Sequence, residues 1–405
     1  MEEIRLGIVG VGGRGYGLLT QVLLTDFKDV KYVAMCDLYE DRGERAADEV
    51  EKAGQPRPAV YTDYKQCIDD PNVNTILVST AWEDHVEVSI YSMKAGKPVA
   101  CEVGGAYSER QCWRLIETYE ETKTPISFLE NCLYGRRELM MLNMKEQGLL
   151  GEVIHCTGGY QHDLRKEIAE GIENRHYRLR NYAARNCDNY PTHDIGPIAR
   201  ILDINHGNRM LTLTAMASKA SGLQEYIKTR KNDDDNLRDK EFAQGDVVTT
   251  MIKCARGETI TLVLETTLPR FYSRNFTVHG TKAMYEEMSD SLFIYEEHDK
   301  FHERWKEDHR GNAVEYEEKY DHPIWKQMMS EGGIRGSHGG MDVLVFDDFF
   351  NCILEGRPTP VDVYDMATWM IISKLTEDSI AQGGAPVSFP DFTNGKWLKD
   401  RATQR

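Results

Sequence analysis

The 405-residue chain predicts a doubly wound α/β domain with a parallel sheet, then an α+β domain built on a large, mostly antiparallel sheet. Three observations carry this reading. The length exceeds what one ordinary hydrophobic core serves. The first 129 residues alternate short apolar runs with stretches of helical periodicity, the rhythm of βαβ units. From residue 130 the rhythm changes to longer strand-like runs with few helices between them. The expected domains are therefore 1–129 and 130–405, with the last helix packing back toward the first domain.

Taken in order, Ile4 to Val9 is the first strand, followed by a glycine-rich turn and a helical run over Leu18 to Leu23. Lys31 to Cys36 and Thr75 to Thr80 are further strands. His85 to Ala95 reads as a helix, with Val86, Ile90 and Met93 at helical spacing. Gly96 closes that helix, and Pro98 opens the strand Val99 to Glu102. Ile126 to Leu129 is a strand that ends at Glu130. A helix over Arg137 to Gln147 stops at Gly148. The second sheet is expected from Val153 to Tyr160, Met210 to Ala217, Val247 to Cys254, Thr259 to Thr266 and Phe276 to His279. Thr229 to Lys240 is polar and charged, and reads as a mobile surface loop. From about Gly340 a helix carries Met341, Val345, Phe346 and Phe349 on one face.

The formal charge of −17, with no clustered Lys/Arg run, excludes a nucleic-acid-binding surface. No stretch is long and apolar enough for a membrane span. The nine cysteines are odd in number, scattered and free of C-x-x-C pairs. That pattern argues against a disulfide framework or a structural metal site, and for free thiols in a reducing cytoplasm. Met1-Glu2-Glu3 runs straight into an apolar strand without the features of an export signal, which agrees.

Gly10-Val11-Gly12-Gly13-Arg14-Gly15 is G-x-G-x-x-G, with a strand before it and a helix after it. Gly10 allows the tight turn, Gly12 lets backbone approach a pyrophosphate, and Gly15 permits close helix packing; the helix N-terminus then faces the phosphates. Asp37 ends the second strand about 20 residues on, where a carboxylate accepts from a ribose 2′-OH and repels a 2′-phosphate. This is a Rossmann-type site, and it selects NAD over NADP. A second cofactor patch is expected at Thr80, Trp82 and His85, beyond a strand's C-terminal end, with Glu102 at the same edge.

The pattern resembles the Gfo/Idh/MocA oxidoreductases along the whole chain. Ordinary members carry Glu-Lys-Pro where this chain has Glu102-Val103-Gly104, so their catalytic lysine is absent. They also carry Asp-x-Gly-x-x-His, whereas Asp194-Ile195-Gly196-Pro197-Ile198-Ala199 lacks that histidine and His193 precedes the aspartate. Both departures are similar to the NAD-dependent glycosidases of glycoside hydrolase family 109. The shared stretches are Glu130-Asn131-Cys132, Tyr134-Gly135-Arg136, Gly158 to Arg165, His176 to Asn181, Tyr190 to His193, Arg270 to Arg274 and Ser337 to Asp342. The resemblance implies α-N-acetylgalactosaminidase activity. It implies an active-site set of Glu130, Tyr160, His162, Tyr190 and His193, and adds Asn131 to the cofactor residues. Many members carry an export signal, so its expected absence favours a small imported glycoside.

Read directly, Tyr160 and His162 are two apart in an extended stretch and share a face. Tyr190 and His193 are three apart around Pro191, at a helix start, and also share one. Glu130 sits at a strand's C-terminal end. The chemistry implied by the resemblance is oxidation at C3, deprotonation at C2, elimination of the C1 substituent, water addition and hydride return, outside the paired-carboxylate route. We expect His193 to be the base for the C3 hydroxyl and Tyr160 for the C2 proton, with Tyr190 and Glu130 orienting hydroxyls or sharing proton transfer. Arg178 (or Arg180), Arg270, Tyr272 and Arg274 are candidates for the sugar site, and Cys132 and Cys187 for inert buried thiols. The competing readings are a sugar 3-dehydrogenase that releases a keto sugar, and a non-catalytic NAD-responsive binding protein. A homo-oligomer is expected, because an open sheet face has to be covered.

Overall fold

The computed structural model describes residues 1–230, 235–298, 300 and 309–398. Two compact units divide the chain: Met1–Gly135 with Met328–Ile371, and Arg136–Gln327 with the segment from Ile372 onward.

The first unit is built on six parallel strands: β1 (Arg5–Val9), β2 (Lys31–Cys36), β3 (Ala59–Tyr61), β4 (Thr75–Val78), β5 (Val99–Cys101) and β6 (Ile126–Phe128). Their spatial order is β3-β2-β1-β4-β5-β6, so the order reverses between β1 and β4. Helices such as Glu40–Lys52, His85–Lys94 and Glu109–Thr122 connect the strands. With both faces covered, a strand must be apolar throughout, which is why Thr75-Ile76-Leu77-Val78 is buried at every position. The helix after the glycine turn starts at Gly13, earlier than Leu18, and passes through a π-helical turn at Leu19–Leu23. Its first turn is therefore made by the motif itself.

The second unit carries eight strands: β7 (Val153–Gln161), β8 (Met210–Ala217), β9 (Val247–Cys254), β10 (Thr259–Glu265), β11 (Thr277–Gly280), β12 (Ala283–Glu286), β13 (Ser291–Ile294) and β14 (Val387–Ser388). They lie in the order β13-β12-β11-β7-β10-β9-β8-β14. Every pairing is antiparallel except β7 with β10. Strand β9 alternates strictly, burying Val248, Thr250, Ile252 and Cys254, so one sheet face is covered and the other open. The polar segment after Thr229 is not wholly loop: Asp235–Arg238 forms a helical turn, while 231–234 lie outside the described residues.

Candidate active site

The residues expected to hold the cofactor belong to the first unit. Gly10 has φ +94° and donates its N–H to the Cys36 carbonyl at 2.7 Å, tying the turn to the end of β2. A Cβ at Gly10 would lie 2.4 Å from the Ser79 carbonyl, and one at Gly15 would lie 2.0 Å from the Gly10 carbonyl. Nothing lies within 4 Å of a Cβ built at Gly13. Backbone thus lines a cradle that side chains would fill, with a helix N-terminus at its rim. Asp37 is buried at the end of β2, where it accepts from the Val11 N–H (3.0 Å) and the Tyr39 N–H (3.1 Å). The residues fit an adenine dinucleotide.

At the other edge, the His85 Nε2 donates to the Thr80 carbonyl at 3.1 Å. Burial pushes the His85 pKa down to about 4, so the ring stays neutral. Trp82 is buried and packs beside Gly104, where a Cβ would lie 2.6 Å from its Cδ1. A proline at 104 would require this indole to move. Glu102 accepts from Arg14 Nε at 3.0 Å, and Asn131 donates to Asp342 at 2.8 Å. Glu130 is fully buried and caps the turn Asn131–Tyr134 by accepting the Cys132 N–H at 3.0 Å.

The Tyr/His residues form one aromatic cluster in the second unit. Cys156, Gly158 and Tyr160 alternate on the covered face of β7. Gly158 admits the helix Thr192–Ile201, because a Cβ there would lie 2.9 Å from the Asp194 carbonyl. That close approach brings Tyr190 and His193 to Tyr160. The Tyr160 and Tyr190 rings are 4.4 Å apart, Tyr190 and His193 are 4.8 Å apart, and Tyr160 and His193 are 5.6 Å apart. Tyr160 Oη lies 3.2 Å from His162 Nδ1, and Tyr190 Oη lies 3.4 Å from His193 Nε2. Tyr272 stands edge-on to His162 at 5.2 Å. The Arg178 guanidinium sits 5.2 Å over the Tyr190 ring, held by Glu167 at 2.6 Å.

Burial raises the Tyr160 phenol above its ordinary value, and the Arg178 charge opposes this. Burial, then Arg178, holds His162 below its ordinary value, so that ring is a neutral acceptor. At Tyr160 burial outweighs the cation. Arg270 pairs with Glu265 at 2.5 Å, Arg274 with the buried Glu138, and Arg180 is exposed. Of the arginines, the structure brings Arg178 into the aromatic cluster. Cys132 and Cys187 are buried thiols outside any disulfide, and burial lifts the Cys187 thiol to about 12. The sequence reading missed Glu167, eleven residues before Arg178 with no periodic signal, and the fully buried Asp188, which takes the Tyr190 N–H at 3.4 Å.

A reversed-order parallel sheet, a backbone-lined glycine cradle and a buried carboxylate at the end of the second strand fit a dinucleotide-dependent enzyme. Residues 4–128 match the oxidoreductase family with an NAD-binding Rossmann fold, and residues 134–399 match the C-terminal domain of glycosyl hydrolase 109. The chain belongs to glycosyl hydrolase family 109, within the Gfo/Idh/MocA type, and its cofactor is NAD. It is 37% identical to the alpha-N-acetylgalactosaminidase of Tannerella forsythia, over 98% of this chain and 87% of that one. Identity is 35% with the alpha-N-acetylgalactosaminidase of Shewanella oneidensis, over 98% and 86% of the two chains. The folds of myo-inositol 2-dehydrogenase from Lactobacillus plantarum (TM-score 0.68, 17% identity, 96% of this chain and 100% of that one) and of levoglucosan dehydrogenase in complex with NADH and levoglucosan (0.67, 18%, 96% and 100%) are similar. No described helix is long and apolar enough to cross a membrane.

Proposed function

We propose that the protein is an α-N-acetylgalactosaminidase-like glycosidase acting on a small glycoside by redox-assisted elimination. The observation that carries this is the clustering of His162, Tyr190 and His193 around the Tyr160 ring. NAD, held by the glycine cradle and Asp37, supplies a hydride acceptor that returns the hydride within the same cycle. His193 takes the proton of the C3 hydroxyl as that carbon is oxidised. The resulting ketone acidifies the C2–H. Tyr160 takes the C2 proton while its own phenolic proton passes to His162, which burial keeps neutral and ready to accept. The C1 substituent leaves with the electron pair of its bond, water adds at C1, C2 is reprotonated, and the carbonyl is reduced back. Tyr190 and Glu130 orient hydroxyls, and Arg178, Arg270 and Tyr272 bind the sugar.

The free, buried thiols suit a reducing cytoplasm. The open sheet face suits a homo-oligomer.

The test is incubation with aryl glycosides in D₂O, led by the α-N-acetylgalactosaminide. Phenol release with deuterium at C2 and no lasting NADH is expected, and Tyr160→Phe or His193→Ala should abolish it. Stoichiometric NADH without phenol would instead make the protein a sugar dehydrogenase.

A further inference from the structure

The segment Ser337 to Asp342 reaches the cofactor edge of the first unit through one carboxylate. Asp342 is fully buried. Its Oδ1 accepts from Arg14 Nη2 and from Asn131 Nδ2, both at 2.8 Å. Its Oδ2 accepts from Arg14 Nη1 at 2.9 Å, from His338 Nδ1 at 2.7 Å and from the Ser337 hydroxyl. Such a donor set holds Asp342 far below the usual carboxylate range despite its burial. The turn that delivers it is strained: His338, Gly339 and Gly340 all have positive φ (50°, 62° and 92°), and only two of them are glycine. Backbone strain that persists beside a saturated carboxylate indicates that the carboxylate's position is what the turn serves.

The topology says which end of the cofactor this is. Asp37, just after β2, marks the adenosine half of the crevice, so the half over β4 to β6 takes the nicotinamide. Glu102 follows β5 and Asn131 lies just beyond β6. Arg14 spans Glu102 and Asp342, giving two carboxylates to one guanidinium. We propose that Asp342 is a positioning residue for the nicotinamide end of NAD: it orients Arg14 and Asn131, and with Glu102 leaves one surplus negative charge that favours the cationic, oxidised cofactor over the reduced one. A glycosidase that must start each cycle from NAD⁺ gains from that bias. The proposal rests on the NAD reading of this site and not on which residue is the base at each step.

The experiment is titration of the purified full chain with NAD⁺ and with NADH at pH 8, above the ordinary imidazole range. Asp342→Asn should weaken NAD⁺ about fivefold more than NADH, the size of one unit charge acting across a partly screened site. His338→Ala keeps the carboxylate and should leave the ratio of the two dissociation constants unchanged. Equal losses for both forms in Asp342→Asn, or no loss, would overturn the proposal. Should that variant fail to fold, Glu102→Gln removes the other carboxylate and must show the same preferential loss of NAD⁺; equal losses there overturn it too. Wild-type protein that binds neither form would overturn the cofactor reading itself, whereas the elimination chemistry is read separately from deuterium at C2.

Discussion

Asp188 is a carboxyl removed from water that accepts the Tyr190 backbone N–H, and burial raises its pKa to about 7. Its folded value lies above the unfolded one, so the folded chain binds the proton more tightly. Its stabilising effect is complete below about pH 4 and is lost as pH rises through 7. The rise from 3.8 to about 7 corresponds to about 4 kcal/mol between the two ends of that window. We expect Asp188→Asn to flatten the fall in Tm between pH 5 and 8; parallel curves for variant and wild type would assign the slope to other groups. His162 supplies a kinetic counterpart. Burial and the Arg178 charge hold its pKa below 6.5, so the acid limb of C2 exchange should fall below that value. Arg178→Met removes the second cause, and the limb should move up in pH; a limb that stays put would exclude His162 as the proton acceptor.

The contact between strand β7 and the helix Thr192–Ile201 decides whether the aromatic cluster exists. A methyl at residue 158 would meet the Asp194 carbonyl at 2.9 Å and Ile198 Cδ1 at 3.0 Å, so the helix must move outward. Gly158→Ala is therefore expected to cost about 1–3 kcal/mol, as overpacking does. It should also lower kcat by at least about tenfold, because the Tyr190–His193 pair shifts relative to Tyr160. A variant with normal turnover would show that the spacing of these rings is not limiting. The same elements explain what the sequence disclosed. Strands β2, β8 and β9 were legible to the residue, because each is a clean apolar run or alternation. The helix Glu40–Lys52 was not, since its apolar stripe is only Ala46, Ala47 and Val50 among charges. Strands β12 and β13 were also missed: each is four residues long and only half buried. At the site, Tyr160 with His162 and Tyr190 with His193 were readable because a spacing of two in extended chain and of three at a helix start brings side chains together. The Arg14–Asp342 and Glu167–Arg178 pairs join residues through tertiary structure, which no local period records.

At the scale of the whole molecule, the open face of the second sheet poses the remaining problem. On it the register sets Met251 beside Thr214 and Thr261, and Met216 beside Thr249. Met216 and Met251 are 66% and 55% exposed, on the neighbouring strands β8 and β9 toward the β14 end of the sheet. Broad faces of Thr and Met suit burial against another surface better than contact with water, and a second copy of the same face provides one by two-fold symmetry. Light scattering should therefore give a mass of at least two chains. The double change Met216→Glu with Met251→Glu places like charges on both partners of such an interface, in a chain that already carries −17. It should return the protein to one chain. Tyr160 points to the opposite, covered side of the sheet, so glycosidase turnover should survive the change. Monomeric wild-type protein would leave the face to solvent, and an oligomer unaffected by the two glutamates would place the interface elsewhere. Loss of turnover together with dissociation would mean that association supports the aromatic cluster from behind the sheet.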